Sequence, residues 1–111
     1  MITYSEISAA KLLKQFSDQG YVELSLNMKQ AQACRRVLTL LDLVYGPEFR
    51  TLPWAKKTAV ILSSIKLSLY ILTRYSALSE LVALYTRGRV GWECTEQGDD
   101  FYVVTLRKSA I

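Results

Sequence analysis

The sequence predicts an α+β domain, four helices packed on a small three-stranded antiparallel sheet made of one early strand and a C-terminal hairpin. Three observations carry this. Apolar side chains recur with helical spacing in four stretches between residues 3 and 87. Strict two-residue alternation occurs at 21–27 and twice more in 90–108. The chain has 111 residues, half of them apolar, with only five Gly and two Pro, so one ordered core spanning 1–111 as a single compact domain is the expectation.

The first helix opens at "TYSE", where Thr3 and Glu6 have the spacing of a capping box, and "SDQG" ends it. Ala9, Leu12, Leu13 and Phe16 share its inward face. "YVELSLN" follows as a half-buried strand with Val22, Leu24 and Leu26 on one side. Asn27 caps a second helix, Met28–Tyr45, stopped by Gly46 and Pro47. Its stripe is Cys34, Val37, Leu38, Leu41, Val44 and Tyr45, and Leu40 and Leu43 lie off that stripe.

Thr51 and Pro53 read as cap and first turn of the third helix. Trp54, Ile61, Leu62, Ile65, Leu69 and Leu72 gather on one arc, the expected core face. Lys56, Lys66, Tyr70 and Arg74 oppose it, with Lys57 flanking. Val60, Leu67 and Ile71 run through the basic side, where a solvated face does not need them. Either a neighbouring helix covers these three or a partner does. The charges Lys57, Lys66 and Arg74 leave no apolar run of about 20 residues, so no membrane span is expected.

"YSALSELVALYTRG" makes a short fourth helix capped by Ser76, with Leu78, Leu81, Val82 and Tyr85 inward and Gly88 at its end. In the hairpin, Val90, Trp92 and Cys94 alternate, then Tyr102, Val104 and Leu106, and "EQGDD" supplies the turn.

Charge is distributed unevenly. The chain carries a formal +4, yet residues 1–49 are neutral, 50–90 carry a net +6 and 91–100 a net −4. The candidate contact residues follow from this: Lys56, Lys57, Lys66, Arg74, Arg87 and Arg89 as a basic face, Glu96, Asp99 and Asp100 as an acidic hairpin tip. Leu40, Leu43, Val60, Leu67 and Ile71 are the candidate apolar interface.

Catalytic chemistry has little to work with. There is no histidine, the glycines never fall at phosphate-cradling spacings, and Cys34 and Cys94 show no metal-ligand pattern, so no cofactor and no metal are expected. "SSIK" sets Ser63 and Lys66 one turn apart, but the companion motifs of serine–lysine enzymes are missing. Asp99 and Asp100 point to opposite sides of a turn. The two cysteines fit a reducing compartment and "MITYSEIS" is not a leader, so a cytoplasmic protein is expected.

The order helix, strand, helices, hairpin is similar to that of winged-helix domains, with "SALSELVALYTRGR" in the place of the recognition helix. That resemblance implies nucleic-acid binding, with the recognition helix in the major groove and the wing on phosphate; the alternative is that the basic third helix, with Tyr70 and Tyr75 nearby, holds backbone phosphate without sequence specificity. The surplus apolar residues on two helices favour the other reading, a non-catalytic regulator or inhibitor of the phage or plasmid type. Such a protein acts by docking on a protein partner or on a second copy.

Overall fold

The computed structural model describes residues 1–87 and 90–108, with the side chains of Tyr45, Pro47, Leu72 and Thr86 left aside. Arg89 and Gly88 therefore lie outside the described residues. Eight regular elements follow in the order β1 (Ile2–Thr3), α1 (Ala9–Gln19), β2 (Tyr21–Leu26), α2 (Met28–Tyr45), α3 (Trp54–Arg74), α4 (Ser79–Arg87), β3 (Val90–Gly98) and β4 (Phe101–Lys108). This is the expected α+β architecture of four helices and a sheet.

The sheet has four strands where the sequence predicts three, in the order β1-β2-β4-β3, and is mixed because β1 runs parallel to β2. The early strand thus sits beside the second strand of the hairpin, antiparallel to it, with Val22 opposite Leu106 and Leu24 opposite Val104. The fourth strand comes from the segment expected to open the first helix. Thr3 and Glu6 do form their capping box, but around a single 3-10 turn, Tyr4–Glu6. The true α1 starts one turn later, with the Ser8 side chain accepting from the Lys11 N–H, and ends at Gly20, whose φ of 78° a side chain would resist. Lys11 and the Thr3 hydroxyl and N–H all approach the Glu6 carboxylate. The Thr3 hydroxyl chiefly, then the Thr3 N–H and the Lys11 charge, hold that carboxyl below its ordinary range.

Alternation along the strands turns one sheet face to the helices. Val22, Leu24, Leu26, Val104 and Leu106 are buried there, with Trp92 and Cys94 half-buried beside them. Leu12 and Phe16 of α1, Cys34, Val37 and Leu38 of α2, and Leu81, Leu84 and Tyr85 of α4 complete one contiguous core. Burial pushes the Cys34 thiol up to about 12.

Two further boundaries differ from expectation. Thr51 does not cap α3: it closes a 3-10 turn, Pro47–Thr51, and its hydroxyl donates to the Glu48 carbonyl, so that Pro53 precedes the helix with no side-chain cap. Ser76 likewise opens a 3-10 turn, Ser76–Leu78, ahead of α4. The hairpin turn is tighter than "EQGDD". Only Asp99 and Asp100 lie in the loop, since Glu96 pairs with Tyr102 and Gly98 with Phe101 across a bulge.

Candidate functional site

Helix α3 decides the surface of this protein, and it lies the other way round from its periodicity. Leu67 and Ile71 turn toward α2 and α4, and Val60, on the same side of the helix, is half-buried. Ile71 is only 3% exposed and belongs to the core, and Leu67 packs half-buried against it. Ile71 is therefore a core residue, whereas Leu67 also borders an open groove beside α2. The expected core arc stands in solvent instead. Trp54 is 83% exposed, Ile61 52%, Leu62 55%, Ile65 53% and Leu69 60%.

The reason is local. Ser64 and Ser68 flank the inward residues and line, with Leu67 and Ile71, a cavity of about 340 Å³ against α2. Small side chains thus lie on the side facing α2, whereas Trp54, Ile61 and Ile65 stand on the outward side. Lys66 lies at one edge of this outward side, and Lys57 at the other, half-buried with its ammonium 6.0 Å from the Phe49 ring centre.

The outer arc is more apolar than its composition suggests. Thr58 and Thr73 fall within or beside it, yet both hydroxyls donate back to helix carbonyls, of Trp54 at 3.0 Å and of Leu69 at 3.0 Å. Together the five exposed side chains offer on the order of 600 Å² of apolar surface, at the upper end of what monomers show.

The remaining predicted residues are dispersed. Lys56 and Arg74 share one side of α3, Lys66 another, and Lys57 a third, so the four do not form one basic face. Arg87 ends α4 and lines a small cavity against α1 with Glu80. Leu40 and Leu43 are half-buried on α2, where they line an open groove of about 640 Å³ facing Ser63 and Leu67. Ser63 lies in that groove, and Lys66, its neighbour in "SSIK", is exposed.

The acidic tip is partly structural. Glu96 and Asp99 are exposed, but Asp100 Oδ1 accepts a 2.7 Å hydrogen bond from the Met28 N–H at the start of α2. Sequence reasoning also passed over Asp42, which sits half-buried on α2 and accepts from the Tyr85 hydroxyl and from Trp92 Nε1. Its signal was a lone carboxylate inside an apolar stripe.

Among the described residues no group of His, Cys, Asp and Glu has the geometry of a metal site, and no helix is long and apolar enough to cross a membrane. No protein-family model matches this sequence, and neither a curated protein nor a solved structure shows significant similarity to it.

Proposed function

We propose that this protein acts by docking on a protein partner and that the outer face of α3 is its docking element. The observation that carries this is the row Trp54, Ile61, Leu62, Ile65 and Leu69, each more than half exposed on a helix whose other side is already anchored. Leaving so much apolar surface in water is unfavourable, and covering it supplies the driving force for association. Trp54 at one end of the row is of the side-chain type that dominates interface hot spots.

The charge of α3 describes the partner. Residues 54–74 hold Lys56, Lys57, Lys66 and Arg74 and no acidic side chain. A complementary surface is therefore an apolar groove with an acidic rim, in the helix-in-groove manner. Cytoplasmic regulators and inhibitors without catalytic equipment work in this way.

A photo-crosslinking amino acid at Leu62 tests the reading in intact cells. A discrete protein adduct is expected there, and none from the same residue at Lys14, exposed on α1. An adduct of twice the chain mass identifies the partner as a second copy. Equal, diffuse labelling from both positions sinks the proposal.

A further inference from the structure

Helix α2 and the end of α3 enclose a second, chemically different site. Lys29, Gln32 and Arg36 lie along one face of α2, and Tyr70, Arg74 and Tyr75 come from the C-terminal end of α3. These six side chains line a cleft of about 320 Å³, within the range of small-molecule pockets. Among the described residues no acidic one lines it. Among the described residues the one ion pair is Lys11 with Glu6, so three cations converge here without a carboxylate to neutralise them. Three cations unpaired with carboxylates along one cleft favour the approach of an anion.

One wall of the cleft is aromatic. The Tyr70 ring centre lies 5.9 Å from that of Tyr75, tilted by 60°, and Tyr75 in turn meets Tyr4 edge-on at 6.3 Å. Tyr70, 42% exposed, is the outermost of the three rings. Gln32 adds an amide that both donates and accepts. Cations alone accept any anion, and a ring alone any flat apolar group. We infer from their combination that this cleft binds a nucleotide, its phosphate held by Lys29, Arg36 and Arg74 and its base stacked on Tyr70.

The same chemistry is offered by a free nucleotide and by a nucleotide within a single strand. Gln32 and Arg36 also border the adjoining groove, where Arg35 adds a further cation along a strand's path. The site is separate from the outer face of α3 and does not depend on the docking reading.

Calorimetry of the whole chain with adenosine monophosphate, with inorganic phosphate and with a short single-stranded oligodeoxynucleotide of mixed sequence tests the inference. Expected is binding of the monophosphate or of the oligonucleotide at least tenfold tighter than that of phosphate. Arg36→Glu and Arg74→Glu should each weaken it tenfold or more, and Tyr70→Ala by about tenfold. The exposed Lys14→Glu, with the same charge change on α1, should leave it unaltered. Tight monophosphate binding points to a free nucleotide; tight binding of the oligonucleotide alone, with a log–log salt slope near about −2, points to a strand holding three phosphates. Circular dichroism confirms that the variants, all at exposed positions, stay folded. Phosphate binding as well as the monophosphate, no binding of either nucleotide form, or equal losses in all four variants would each overturn the assignment.

Discussion

Asp42 Oδ2 accepts a hydrogen bond of 2.7 Å from Trp92 Nε1, joining the middle of α2 to the edge strand β3 across the layer boundary. Its other oxygen accepts from the Tyr85 hydroxyl of α4, so one carboxylate satisfies the polar ends of two inward aromatic rings. Removing it takes that acceptor from one buried residue and one half-buried residue. Asp42→Ala is expected to lower unfolding free energy by about 3 kcal/mol in urea titrations, and Asp42→Asn by about half as much because one acceptor oxygen remains. A loss below about 0.5 kcal/mol for the alanine variant would show the bridge to be dispensable.

The two sides of α3 should respond oppositely to the same chemistry. Ile71→Asp puts an unpaired charge into the core and is expected to abolish cooperative unfolding at 25 °C. Ile65→Asp and Leu69→Asp place theirs in solvent and should change stability by less than about 0.5 kcal/mol. Thermal melts followed by circular dichroism separate these outcomes. A matched collapse in all three would mean the outer arc is packed.

Asp100 combines two roles at the hairpin tip. Its φ is 53°, a left-handed conformation that Asn tolerates and Ala resists, and its carboxylate receives the Met28 N–H at the positive end of α2. Asp100→Asn keeps the conformation and an acceptor, and should cost less than about 1 kcal/mol. Asp100→Ala loses both and should cost about 2 kcal/mol. Equal costs for the two variants would show that the cap is not contributing.

Thiol chemistry reports on the core. Desolvation raises the Cys34 thiol to about 12 and, with the Arg35 charge opposing, also raises that of Cys94. In native protein at pH 8 a disulfide reagent is expected to modify Cys94 first and Cys34 only at the rate of unfolding. A group whose folded value lies above its unfolded one favours the native state until the unfolded thiol ionises. Stability should therefore fall as pH rises from about 9 toward 12, and Cys34→Ala should flatten that decline. A slope unchanged in Cys34→Ala would assign the alkaline loss to other groups.

Much of this fold was legible in local pattern. Asn27 and Gly46 bracket α2 at the predicted residues, and the alternation of 21–26 and of the hairpin put the observed side chains on the buried sheet face. What failed was the choice between the two faces of α3. Helical periodicity puts six apolar residues of 54–74 on one arc and three on the other, and the larger set reads as the core face. Burial depends on what a neighbouring helix can approach, and the serines at 63, 64 and 68 were the available signal. The nucleotide cleft was half visible, through Tyr70, Arg74 and Tyr75. Lys29 and Arg36 join it only because α2 and α3 lie side by side, some forty residues apart in sequence. No spacing rule reaches that far, nor does one link Asp100 to Met28.

Strand order also changes the meaning of the acidic stretch. β3 is the outer strand of the sheet, so its far side presents unpaired backbone groups to any strand that drifts near. Glu93 and Glu96 stand exposed along it, and the bulge between Glu96 and Gly98 bends its end. Two such edges would bring four carboxylates together over a kinked ladder. Like charges along this margin therefore work against edge-to-edge pairing of two copies.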